Sequence, residues 1–141
     1  MNSVETTRNS TEKTYFLTEL IGARADFHGK KIGKLKDVII LDQGKLAEVT
    51  HFQIARSFGE PSLLVPCDKV RSLNPHEIIL DIEDLKSYVR EPQPDEVLLK
   101  DYLLDKKVLD IEDREVEVVY DVKLVMRNNR LYVSDVDFSR Y

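Results

Sequence analysis

The sequence predicts a mainly β fold, in which a small barrel is followed by a second, incomplete β repeat with a short connecting helix. Short runs of alternating apolar and polar residues are separated by tight-turn residues, which is typical of small barrels. One stretch of sequence also returns, because the segment 32–38 recurs as 116–122. The Asp-Val pairs that begin at Asp37 and Asp121 stand roughly 84 residues apart, which suits two successive small domains.

The elements of the first unit follow from periodicity and turn residues. Residues 1–14 are polar and predict a disordered tail before a barrel at 15–88. Gly29, the tip at 42–45 and Pro61 mark turns between the strands. The predicted strands lie at 17–25 (one short strand or two, broken near Gly22), 31–41, 46–54, 62–65 and 77–82. Closing such a sheet into a barrel removes exposed edges.

The second unit begins after a join rich in proline. Pro92 and Pro94 cannot continue a helix, so residues 89–95 are predicted to be a linker. Residues 96–141 then contain an amphipathic helix at 96–104 and strands near 107–110, 115–125 and 131–138, with a polar hairpin tip at 127–130 before the last strand.

This second unit lacks counterparts of the strands at 62–65 and 77–82. A three-stranded fragment has unpaired edges and half a core. We therefore expect it to pack on the first unit or on a second chain, giving a homodimer, or to continue in a longer protein.

Charge and composition limit the possible functions. The net charge of −5 falls entirely in residues 91–141, whereas residues 1–90 are balanced. Because nucleic-acid binders need a basic surface to displace counterions from phosphates, we expect no nucleic-acid partner. The single cysteine, Cys67, excludes an intrachain disulfide, and no apolar run approaches the roughly 20 residues of a membrane span. These features predict a cytoplasmic protein without direct membrane insertion.

Two segments of the first unit resemble the PRC-barrel family. The opening segment contains Leu20-Ile21-Gly22, the turn at 28–31 and the run from Ile32 to Ile40, and the closing segment is 64–71. The resemblance covers about 17–88 and, more weakly, 103–141, where Glu117 replaces Gly33. It implies a barrel that serves interaction or assembly and has no universal catalytic residues. The tandem arrangement is similar to the N-terminal region of certain magnesium-transporter-like proteins, which implies transporter-type and nucleotide-sensing modules further along the chain.

Four residues are candidates for contact with a partner. Asp37 and Asp121 occupy equivalent places, where a carboxylate binds a cation or a partner's arginine, or accepts backbone hydrogen bonds at a strand bend. Lys34 and Lys36 share one strand face, where they meet an acidic partner or simply deter unwanted strand pairing.

An acidic cluster that includes Asp113, Glu115 and Glu117 is a candidate magnesium site, because carboxylates are hard-cation ligands. The same alternation also describes an ordinary solvent-facing strand. The three histidines lack zinc-ligand spacing, and Cys67 follows a proline at a strand end, where packing is expected. We therefore expect no cofactor.

The expected function is a non-enzymatic cytosolic adaptor or regulatory module for protein assembly, in the setting of magnesium transport that the resemblance implies. Binding would use strand edges and apolar grooves, with main-chain pairing supplying affinity. The alternatives are an RNA- or ribosome-associated module and a sensor of divalent ions or small ligands.

Overall fold

In a computed structural model the described residues form one curled, eleven-stranded β-sheet with two helices of a single turn each, which confirms the mainly β fold class. The structure describes residues 12–41, 47–104, 107–110 and 115–140. The strands are β1 (Lys13–Phe16), β2 (Arg24–Phe27), β3 (Lys30–Leu41), β4 (Glu48–Arg56), β5 (Leu63–Pro66), β6 (Val70–Leu73), β7 (Glu77–Leu80), β8 (Glu96–Leu98), β9 (Lys107–Asp110), β10 (Glu115–Arg127) and β11 (Arg130–Arg140). The helices are α1 (Leu17–Leu20) and α2 (Leu99–Leu103), with 3-10 turns at Cys67–Lys69 and Lys86–Tyr88.

The strand order joins both repeats in a single sheet. It runs β1-β10-β11-β4-β3-β2-β7-β6, with β5 beside β4, β8 beside β3 and β9 beside β10. The parallel pair is β2 with β7, and the other ladders are antiparallel. The described part of the second unit therefore packs on the first unit, which is one of the arrangements expected from the sequence. The division at 89–95 into separate domains stays a prediction.

Two hairpins have the turns that their sequences predict. His28 and Gly29 have φ of 53° and 81°, and Asn128 and Asn129 have φ of 50° and 64°. Two successive positive φ values are typical of type I′ turns, which match the right-handed twist of the flanking strands. The predicted tip at 42–45 lies outside the described residues.

Both helices contribute to the hydrophobic core. Leu17 and Leu20 of α1 and Leu99 of α2 are fully buried, together with strand residues such as Phe52 and Leu124. Each such side chain contributes about 1.5–3 kcal/mol of burial free energy. The helices are therefore held by packing, because one isolated turn is unstable in water.

Three boundaries differ from the prediction. The first part of the segment 17–25, expected to be strand with a break near Gly22, is instead the helix α1, and β2 follows the break. The expected helix at 96–104 begins as β8 and becomes α2 only at Leu99. Of the tail predicted at 1–14, Lys13 and Thr14 instead belong to β1, whereas residues 1–11 lie outside the described residues. Hydrogen bonds from distant strands decide where the helices begin, which local periodicity does not reveal.

Candidate docking edge and cleft

Asp37 joins the first repeat to the helix of the second. Its Oδ1 accepts hydrogen bonds from the backbone N–H groups of Val38 and Lys100, both at 2.7 Å, and its Oδ2 accepts one from Asp101 at 3.0 Å. Lys100 and Asp101 lie in the first turn of α2, whose N–H groups have no partner within the helix. A carboxylate distant in sequence therefore caps this helix.

Asp121, in the second repeat, likewise caps the helix α1 that precedes the first repeat. Its Oδ1 accepts from the backbone N–H groups of Val122 at 2.8 Å and Thr18 at 3.1 Å, and its Oδ2 accepts from the Thr18 hydroxyl at 2.7 Å. Thr18 lies in the first turn of α1. Each repeat thus caps the helix that precedes the other repeat.

The strands that carry these two carboxylates share their irregularities. The ladders β3–β4 and β10–β11 each contain two register shifts, one beside the aspartate and one just beyond it. The shifts fall at Leu35/Asp37 and Ile39/Ile40 in the first repeat, and at Val119/Asp121 and Lys123/Leu124 in the second. Bulges at matching positions indicate two copies of one structural unit.

The hydrogen bonds agree with the structural interpretation of Asp37 and Asp121. Asp37 is only 3% exposed, and burial raises the pKa of its carboxyl although three backbone hydrogen bonds oppose that rise. Asp121 is half-buried, and both of its oxygens are bonded within the chain. A role for either in contact with a partner stays a prediction, whereas Lys34 and Lys36 are exposed on β3 and accessible to one.

In each repeat a second strand turns back along the first: β4 returns along β3, and β11 returns along β10. The repeats differ at the outer edge of these returning strands, β4 and β11. In the first repeat, β5 pairs with β4 along His51–Ile54. Phe138 of β11 pairs with Val119, as Ile54 pairs with Leu35, so Asp135–Phe138 is the equivalent stretch. Beyond β10, β11 pairs with β4 through Leu131 and Tyr132, and the Val133 N–H donates to the Ala47 carbonyl at 2.9 Å. Within the described ranges, no strand covers Asp135–Phe138 on its outer side.

Side-chain burial follows this difference in coverage. Ile54 beneath β5 is 0% exposed, whereas its counterpart Phe138 is 45% exposed. Phe52 is buried, but its counterpart Val136 is only half-buried. The outer edge of β11 at Asp135–Phe138, hereafter the open edge, has exposed apolar surface and no neighbouring strand among the described residues, which are the features of a strand that accepts an added strand.

A cleft of about 700 Å³ lies where the two ends of the sheet approach each other. Its walls include β1 and β6, the end strands of the sheet order, and the Tyr15 hydroxyl donates to the Leu73 carbonyl across it at 3.3 Å. Its lining mixes apolar and polar side chains, and the charged ones are Lys13, Arg71 and Asp68. Such a volume falls in the range of small-molecule sites.

Cys67 lines this cleft without reactive character. Its thiol donates to the Val49 carbonyl at 3.2 Å, and burial raises the pKa of the thiol to about 12. A thiol with so high a pKa is protonated at neutral pH, so its thiolate is not available as a nucleophile. The packing role predicted for Cys67 agrees with this geometry.

His51 lies beside Arg90, which forms an ion pair with Glu96 across the linker. Arg90 donates to both carboxylate oxygens of Glu96, at 2.7 and 2.8 Å, and the backbone N–H of Gln93 donates to one of them at 2.7 Å. The hydrogen bonds from Arg90 are the main reason why the pKa of Glu96 falls from 4.5 to about 2. Burial, and then the charge of Arg90, lower the pKa of His51.

The predicted magnesium residues are not brought together by the described structure. Asp113 and the side chain of Glu115 lie outside the described residues, and Glu117 is half-buried on β10. No group of three or more histidine, cysteine or acidic side chains is placed to hold a metal ion in the part of the chain that the structure describes. A magnesium site here stays a prediction.

Comparison with protein-family models and with curated proteins gives no match to this sequence. Among the described residues, no helix is both long and apolar enough to cross a bilayer.

Proposed function

We propose that this protein is a non-enzymatic assembly module that holds an extended segment of another protein on the open edge. The supporting observation is the contrast between Ile54, buried beneath β5, and Phe138, exposed where no described strand lies. Main-chain pairing at a sheet edge supplies affinity, and alternate side chains supply choice. The setting we propose, a PRC-barrel module in magnesium transport, is supported by the sequence resemblance alone.

A peptide selection tests the docking function without assuming a partner. Random ten-residue peptides would be displayed and selected against the full chain, and the recovered peptides would be measured against Phe138→Glu. We expect Phe138→Glu to weaken binding about tenfold, since a charge replaces apolar contact with the incoming strand. The matched control is Phe58→Glu, which alters another exposed phenylalanine, in the turn between β4 and β5. Recovery of no peptides, or equal binding to both variants, would overturn the proposal.

The cleft favours a second candidate function, a sensor of small amphipathic anions. The apolar side chains of its lining suit a hydrocarbon body, and Lys13 and Arg71 outnumber Asp68 around it. Dodecanoate is a suitable probe, because binding to the folded state raises the melting temperature. Arg71→Ala is expected to reduce that rise, whereas Lys69→Ala, an exposed neighbour outside the lining, is expected to preserve it. No rise at millimolar dodecanoate would remove this candidate.

A further inference from the structure

We propose that the open edge selects an antiparallel segment with the pattern apolar–basic–apolar, supplied by a partner protein. This inference rests on the proposed docking function and deepens it by naming the chemistry of the partner. The first repeat supplies the template, because its equivalent edge already holds a strand of known sequence and register.

The template is β5 on β4. Leu63 lies opposite Ile54 and Val65 lies opposite Phe52, and all four side chains are buried. Between them, Leu64 lies opposite Gln53. The docked strand therefore places apolar residues at alternate positions toward the core and one residue between them on the other face.

The apolar positions carry over to the second repeat. The counterparts of Ile54 and Phe52 are Phe138 and Val136, which pair across β11–β10 with the buried residues Val119 and Val122. Apolar side chains of an incoming strand at these two positions would cover Phe138 and extend the core.

The residue between the two apolar positions is neutral in the first repeat and charged in the second. Gln53 is replaced by Asp137, so a carboxylate stands where the first repeat has a neutral amide. Asp137 lies opposite Asp121, whereas its neighbour Asp135 lies opposite Lys123. Cross-strand neighbours thus offset the charge of Asp135 but not that of Asp137. A lysine or arginine on the incoming strand opposite Asp137 meets this unbalanced charge.

The same charges disfavour a second copy of this chain as the occupant. An antiparallel pairing of two β11 strands centred on Val136 would place Asp135 of each chain opposite Asp137 of the other. Like charges directly opposite each other destabilise a strand pair. A partner segment that carries a basic residue is the complementary occupant.

Labelled peptides matching residues 61–68 test the pattern on the full chain. One peptide keeps Leu64, one carries Leu64→Lys and one carries Leu64→Glu. We expect the Leu64→Lys peptide to bind most tightly, about three- to tenfold better than Leu64→Glu, as opposite and like cross-strand charges imply. Amide chemical shifts should change at Asp135–Phe138, which locates the binding.

Charge reversal on the protein supplies the decisive control. Asp137→Lys is expected to invert the preference, so that the Leu64→Glu peptide binds better than Leu64→Lys. Asp95→Lys makes the same change of net charge on the exposed linker and is expected to leave the order unchanged.

The outcomes separate the two proposals. Binding at the open edge with no charge preference, or a preference that Asp137→Lys does not invert, overturns the apolar–basic–apolar pattern and leaves docking intact. No shift at Asp135–Phe138 with any of the three peptides overturns the template and so the inference. If the displayed library also yields no ligand sensitive to Phe138→Glu, the docking function fails with it.

Discussion

The two repeats contain the same strand unit, but only the first is completed by its own chain within the described residues. Asp37 and Asp121 cap helices in the same manner, and the flanking bulges match. The returning strand β4 is covered by β5, whereas the equivalent part of β11 is open. The two copies therefore share the capped strand pair, and among the described residues they differ in whether a strand covers the outer edge of β4 or β11.

Burial of the two capping carboxylates separates the repeats most strongly. We expect Asp37→Ala to lower the free energy of unfolding by about 3–4 kcal/mol, because one buried and two part-buried hydrogen bonds to N–H donors are lost. Asp121→Ala is expected to cost only about 1 kcal/mol, since Thr18 is exposed and water replaces the carboxylate. Urea denaturation of both variants measures the difference. Equal losses would show that burial does not distinguish the two caps.

The close approach of β3 to β4 gives the next largest effect. A Cβ added to Gly33 would lie 1.9 Å from the Ala55 carbonyl oxygen, so the backbone must move. Gly33→Ala is expected to cost about 3 kcal/mol by overpacking. The second repeat already has a side chain there, and Glu117→Ala should change stability by less than about 0.5 kcal/mol. A thermal melt in which Gly33→Ala is as stable as the parent would contradict this contrast.

The ion pair between Arg90 and Glu96 spans the linker and holds β8 beside the first repeat. It predicts that the free energy of unfolding depends on pH. Because the folded-state pKa of Glu96 is about 2 against an ordinary 4.5, the unfolded chain binds more protons between these values. The stabilisation that the ionised Glu96 carboxylate contributes is complete above about pH 5 and is lost as the pH falls toward 2. Since Arg90 is about one-third exposed, solvent screening reduces the contribution to about 1–2 kcal/mol.

Glu96→Gln tests this by urea denaturation at several pH values. The variant should be less stable than the parent at pH 6, and the gap should shrink as the pH approaches 2. Glu91→Gln, an exposed carboxylate in the same linker, is the control and should follow the parent. A gap that stays constant with pH would show that the effect is not electrostatic.

The smallest effect concerns the carboxylates that face each other across β10 and β11. Asp137 lies opposite Asp121, whereas Gln53 lies opposite Asp37 in the first repeat. Asp137→Gln is expected to raise the free energy of unfolding by about 0.5 kcal/mol, because a like-charge cross-strand pair is removed. A decrease measured by thermal denaturation would show that Asp137 makes a favourable contact of its own.

Much of the local structure was predictable from sequence. The alternation in β3 and β4 and the asparagine pair at Asn128 placed strands and a turn correctly, because these signals act over a few residues. The equivalence of Asp37 and Asp121 also followed from the repeat. The open edge was anticipated only as a missing counterpart of 62–65, and the exposure of Phe138 needed coordinates.

By itself, the sequence determined the fold class, the repeat, the turns and the position of the two aspartates. Only the tertiary structure decided that each aspartate caps the helix preceding the other repeat, through contacts 63 to 103 residues apart. It also decided that α1 is a helix within a segment predicted as strand. The physical reason is that a single helical turn has little intrinsic stability, so distant acceptors and core packing select its conformation.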